Sequence, residues 1–315
     1  MRACWFLAVG VILLAGRAGA SDAMDAAYRV TDTSPQCVDF QWEGGDSDQG
    51  REAIALPVTV DGVTSLFMLD TGSDLSMVWG DVAGHENDKV YAPGSVMIGQ
   101  TEVAHPLLYI QRGQTGDYEN HGTLGLQALV GKVTVIDYVH HKLCLFDPAA
   151  VPDAIKAAQW SDAKLRGMKL WVPLSVGSLS FDDIIFDTGS SRIPLNVDLL
   201  NWREMTGLDD PRSAPGREEV NQWGRLYNSY SAPPAEGNMT IGGVQVGALD
   251  IFTVPGMPHE FAERYDASGL TGNAPFMNDM VVLDLGEAYT TNNLHLLALQ
   301  MKLRWSQSVR FGVIQ

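Results

Sequence analysis

Leu66-Phe67-Met68-Leu69-Asp70-Thr71-Gly72-Ser73 has a counterpart 117 residues later, Ile184-Ile185-Phe186-Asp187-Thr188-Gly189-Ser190. In each copy an apolar run, read as a buried strand, leads into the same polar tetrapeptide. A single Asp-Thr-Gly is readily explained as a turn, in which Asp accepts backbone N–H bonds and Gly supplies an unusual dihedral. Two copies in matched settings call for a search for further repetition.

Working outward, three more elements recur in the same order. Upstream, Leu56-Pro57-Val58-Thr59-Val60 parallels Val172-Pro173-Leu174-Ser175-Val176. Downstream, Val96-Met97-Ile98-Gly99-Gln100-Thr101-Glu102-Val103 matches Met239-Thr240-Ile241-Gly242-Gly243-Val244-Gln245-Val246 without a gap, and both read as paired hairpin strands. Last, Gly122-Thr123-Leu124-Gly125 runs on to Val133-Thr134-Val135-Ile136-Asp137, as Gly269-Leu270-Thr271-Gly272 runs on to Met280-Val281-Val282-Leu283-Asp284. Duplication accounts for this order, and short apolar strands punctuated by Gly, Asp and Asn make the fold class mainly β.

The second copy carries an insertion of about 26 residues near 201–231, expected as a helix from about Val197 to Met205 followed by a long loop. The expected organisation is a signal peptide (1–20), an N-terminal segment that is disordered or a pro-segment (21–50), a first lobe (51–148), a connection of helical composition (149–167) and a second lobe (168–315).

Two carboxylates held close together cannot both ionise, because like charge at short range raises one pKa strongly. One then serves as a base toward water while its protonated partner polarises a carbonyl. Glycine at positions 72 and 189 permits the tight turn that brings N–H groups to the carboxylates, and the Thr71 and Thr188 hydroxyls can bond across to the other copy. Ser73 and Ser190 are expected to donate to the outer carboxylate oxygens.

On these motifs the chain resembles the aspartic peptidase superfamily of pepsins and retroviral peptidases, over about Ala53 to Leu285. The family's later pair of hydrophobic residues followed by Gly matches Thr123-Leu124-Gly125 and Leu270-Thr271-Gly272, with one Thr in each pair. Gly122 to Leu145 and Gly269 to Leu285 look closer to the retroviral type, while two lobes in one chain is the pepsin arrangement. The resemblance implies two related lobes of the acid-protease type around a cleft, an extended peptide substrate and a water held by catalytic Asp70 and Asp187. It gives Leu124, Gly125, Thr271 and Gly272 structural roles, and implies no metal or organic cofactor. The pepsin flap's Tyr-Gly pair is absent, and Tyr91 is the nearest candidate for a substrate-binding flap residue. A basic pro-segment is also absent, since 21–50 carries Arg29 against many carboxylates.

The rest of the sequence bounds the setting. Arg2, the apolar stretch Cys4 to Ala15 and Ala18-Gly19-Ala20 read as a secretory signal cleaved after Ala20, so a secreted or periplasmic location is expected, with no stable membrane insertion afterwards. Net charge is −17, or −19 once Arg2 and Arg17 are lost, which excludes nucleic acid as a natural partner. Cys37 and Cys144 remain after signal removal and form either a disulfide or two separate buried thiols. His85 and His140-His141 lack further ligands at metal-site spacing, and there is no G-x-S-x-G elbow. The expected activity is that of a monomeric aspartic endopeptidase acting on a peptide or protein substrate. The alternative is a non-catalytic peptide- or protein-binding module that keeps the two-lobed fold.

Overall fold

A computed structural model describes residues 12–315 apart from 48–49, 74, 104–106, 113–120, 223–224, 257–265 and 289–305. The protein is mainly β, with nine strands in one sheet and fifteen in another among the described residues.

Each sequence copy builds the same strand unit. In the first, Ile54–Val60 and Val63–Asp70 form an antiparallel hairpin in which Ile54 faces Leu69. Asp61 and Gly62 both have positive φ, 47° and 84°, the backbone a two-residue turn needs to follow the twist of its strands. In the second copy Lys169–Val176 pairs with Leu179–Phe186, Leu170 facing Phe186, with a register shift at Pro173, a residue that has no N–H for the ladder. Hairpins then dock on the outer strands in one register: Val96–Ile98 with Thr101–Glu102 through Val58 and Ile98, and Met239–Ile241 with Val244–Gly247 through Leu174 and Ile241.

The glycine elements lie parallel to the aspartate strands. Gly122 pairs with Phe67 and Gly269 with Ile184, in both cases three positions before the aspartate. The two copies meet where Val133–Asp137 runs antiparallel to Met280–Asp284, with Val135 opposite Val282. Lys142–Phe146 and Ser306–Ile314 flank that pair, and Cys37–Asp39 and Gln159–Arg166 come outside them. The strand order is therefore matched on the two sides of that central pair.

Three expectations are corrected. Residues 21–50 are ordered where described: Ile12–Thr33 is one helix, which includes the cleavage position expected after Ala20. Ala27 is fully buried, Thr31 Oγ1 donates to the buried Asp137 carboxylate at 2.9 Å, and Phe40 and Trp42 enter the main core. Cys37 and Cys144 face each other across two strands and form a disulfide. The connection 149–167 keeps only one helical turn, Asp153–Lys156. Strand Gln159–Arg166 takes the rest, because Ala163 and Leu165 alternate inward against Ser306–Ile314. The insertion does hold a helix, Leu199–Thr206, capped by the Asp198 carboxylate on Asn201 N–H and ended by Gly207 at φ 69°. The long loop expected after it is instead a hairpin, Gly216–Gln222 with Arg225–Ala232.

Candidate active site

The site forms where the two aspartate strands end against each other. Thr71 and Thr188, both fully buried, exchange four bonds between the copies. Thr71 N–H donates to Thr188 Oγ1 (3.0 Å) and Thr188 N–H to Thr71 Oγ1 (2.9 Å). The Thr71 hydroxyl donates to the Phe186 carbonyl (2.8 Å) and the Thr188 hydroxyl to the Leu69 carbonyl (2.9 Å). Each threonine thus clamps the residue before the opposite aspartate, and every donor and acceptor is satisfied inside the protein, as buried polar groups require.

Beside this clamp the carboxylates of Asp70 and Asp187 converge, both residues being half-buried. Gly72 N–H donates to Asp187 Oδ1 across the interface (3.1 Å), and Gly189 N–H donates to the same oxygen (2.9 Å). Both glycines are required by space. A Cβ on Gly72 would stand 2.3 Å from Asp187 Cγ, and one on Gly189 would stand 2.8 Å from Asp70 Cγ and 3.2 Å from Asp187 Oδ1. Burial raises the Asp70 carboxyl well above its usual range, and the adjacent Asp187 charge and a hydrogen bond with Asp187 raise it further. The Lys169 charge and the Gly72 backbone pull the other way. Asp70 is thus held toward its protonated form beside Asp187, an arrangement in which one proton can lie between two acids.

The supporting residues divide. Leu124 is fully buried beside Leu69, and Gly125 N–H donates to Ser76 Oγ (3.1 Å). Thr271 Oγ1 donates to the Pro194 carbonyl (2.7 Å), while its own carbonyl accepts Asp187 N–H (2.9 Å). Gly272 lies so close to the Ser190 carbonyl that a side chain there would overlap it. The serines do not act as expected. Ser73 Oγ turns to the Leu75 carbonyl (2.8 Å), a local bond that competes with the aspartate, and Ser190 contributes through its main chain to Asp187 and Asn273.

Tyr91 is packed elsewhere. The short strand Val90–Tyr91 lies at an edge of the nine-stranded sheet, where the ring packs with Leu108 and Ile110, 4.7 Å from the His85 ring. Its side chain has gone to an apolar cluster, and its phenol is pushed up by burial and by Asp61.

Two contributors were not singled out from sequence. Asn273 is fully buried, donates to the Thr188 carbonyl (2.9 Å) and Ser191 Oγ (2.7 Å), and accepts from Tyr138 Oη (2.7 Å). Lys169 is buried, and its Nζ donates to the Gly72 carbonyl. The signal for Lys169 was present: aligning Pro57 with Pro173 sets it opposite Ala53, a charge beginning an otherwise apolar strand.

Among the described residues, no group of three or more His, Cys, Asp or Glu side chains could hold a metal ion. His85 is taken by Asp88 and His140 by Asp137. Also among the described residues, no helix is long and apolar enough to cross a membrane.

No family model matches the chain. No curated protein matches it either. Among solved structures, a retropepsin-like aspartic protease from Rickettsia conorii is similar to it at 19% identity, over 35% of this chain and 88% of that one, with a TM-score of 0.25.

Proposed function

We propose that the chain is an aspartic endopeptidase built as two related lobes, with catalytic Asp70 and Asp187 sharing one proton. The observation that carries this reading is the convergence of the two carboxylates over Gly72 and Gly189, locked by the reciprocal threonine bonds. A turn motif used only for structure has no need to bring two acids together, since unpaired like charges at short range cost stability.

In the proposed reaction the ionised carboxylate takes a proton from a water lying between the pair, and the water oxygen bonds to the carbon of the scissile amide. The protonated partner gives its proton to the carbonyl oxygen, producing a neutral gem-diol. Proton transfer to the nitrogen and loss of a diol proton to the pair then break the C–N bond and restore the starting state. The threonine clamp keeps both acids in place throughout, so little reorganisation is needed as charge moves.

The substrate is an extended peptide or protein segment, and the chain works as a monomer in a secreted or periplasmic setting. Cleavage after Ala20 would leave Ser21 to Thr33 to pack by Ala27 and Thr31. The test is titration with a statine-type mimic of the gem-diol. Tight binding to wild type and at least about 100-fold weaker binding to Asp187→Asn are expected, since such mimics exploit complementarity to the transition state. Equal weak binding to both proteins would refute the assignment.

A further inference from the structure

The two halves of the site differ at a buried position beside the strands that enter the aspartates. Ile54 faces Leu69 and Leu170 faces Phe186, and Leu69 and Phe186 each directly precede an aspartate. The residue before Ile54 and the residue before Leu170 therefore occupy matched places beside the pair. In the first half this is Ala53, 2% exposed; in the second it is Lys169, 1% exposed. A lysine is almost never buried to this extent without partners, because removing an ammonium from water is costly.

One partner of this lysine belongs to the opposite half. Lys169 Nζ donates to the carbonyl of Gly72, the residue whose N–H donates to Asp187 Oδ1. The residue whose N–H holds one carboxylate is thus itself held, through its carbonyl, by the lysine, whose charge also acts directly on Asp70. Charged groups near the lysine include Asp70, whose carboxyl its charge acts on, Asp187 and Arg166, while the neighbouring strands also carry Asp162, Lys164, Asp182 and Asp183, and Arg51 and Glu52 precede Ala53. Arg166 is the cross-strand neighbour of Lys169, and its guanidinium lies over the Trp171 ring at 3.8 Å. Two acids and one inward lysine balance best when the acids carry one negative charge between them.

We infer that Lys169 is a positioning residue that fixes the Gly72 peptide and biases the Asp70/Asp187 pair toward its singly ionised form. The inference rests on the peptidase reading for its consequence in catalysis, but not for the ionisation itself. With Lys169 present, the first proton leaves the pair at lower pH, so the active form reaches further into acid. Because the lysine sits on one side only, it also makes the two acids unequal.

The experiment follows the carboxyl carbons of Asp70 and Asp187 by 13C NMR against pH in the full chain, with signals assigned through Asp70→Asn and Asp187→Asn. In Lys169→Met the titration of the pair should move up by about one pH unit, the usual size for removal of a nearby opposite charge. Lys169→Arg should stay near wild type. The acid limb of kcat/KM for peptide cleavage should move with the NMR titration. An unmoved titration in folded Lys169→Met would overturn the inference, even if activity fell. Should Lys169→Met not fold, the wild-type Lys169 ε-carbon signal should respond over the pH range in which the pair titrates, and lose that response in Asp70→Asn. Absence of the response would equally overturn it. Failure of the peptidase reading looks different: the carboxyl titration would shift between variants while neither cleaved peptide.

Discussion

Asp70 and Asp187 are held by a few neighbours that leave little room for change. Gly72 is one: an alanine methyl would occupy the place of the Asp187 carboxyl, 2.3 Å from its Cγ. Gly72→Ala should therefore displace that carboxylate and lower kcat/KM by at least about 100-fold, since an error near 1 Å at reacting groups costs about that much. Circular dichroism should show the fold retained; unchanged kinetics would mean that the carboxylate position is not what catalysis uses. The threonines bear on stability. Thr71→Val keeps the shape but leaves Thr188 N–H and the Phe186 carbonyl without their partner. A loss of about 2–4 kcal/mol is expected in urea unfolding, from two buried groups left unsatisfied. These roles were readable in the sequence because the motif is local and repeated. Asn273 was not singled out, because it meets the motif only through long-range pairing, while Lys169 showed only as a charge at the start of an apolar strand, with nothing to name its partner.

Among the elements, the disulfide settles an alternative the sequence left open, and the insertion hairpin departs most from what the sequence suggested. The Cys37–Cys144 bridge spans 107 residues and pins the outermost strand of its side of the joining sheet. By the loop-closure argument, Cys37→Ala/Cys144→Ala should lose about 2–5 kcal/mol in urea unfolding and become insensitive to reductant. If wild type were equally insensitive, the bridge would not be contributing. The hairpin escaped notice because Gly216–Gln222 is rich in Arg, Glu and Asn and lies at the end of its sheet, so no apolar alternation marks it. Strand Gln159–Arg166 was obscured in another way, since helix-forming residues there are overridden by pairing with Ser306–Ile314. The apolar strands that enter each Asp-Thr-Gly, by contrast, stood out as buried runs bounded by turn residues. Arg192, just past the second motif, is paired with Glu218 on the hairpin, which ties the insertion to the loop that follows Asp187.

For the whole molecule, the duplicated half is the unit that the sequence displayed and the joining sheet is what it hid. Pairing of Val133–Asp137 with Met280–Asp284 unites segments far apart in the chain, and nothing in either segment names its partner. The order of residues 22–47 likewise depends on contacts made elsewhere, at Asp137 and Cys144. Stability of the assembled molecule should also carry a pH signature. Half-buried Asp279 is raised from 3.8 to about 6, chiefly by burial. The folded state then binds more protons than the unfolded state between these values, so this group lowers stability as pH rises through the window. Asp279→Asn should flatten the decline in urea midpoint between pH 4 and pH 7, and an unaltered slope would count against that burial. The central claim, that Asp70 and Asp187 jointly activate water, is tested most directly by digesting a diverse peptide library with purified wild type and Asp70→Asn across pH. Wild type should cleave internal bonds over a bounded pH range while Asp70→Asn falls by at least about 1,000-fold, the scale of lost acid–base catalysis; equal cleavage by the two proteins would contradict it.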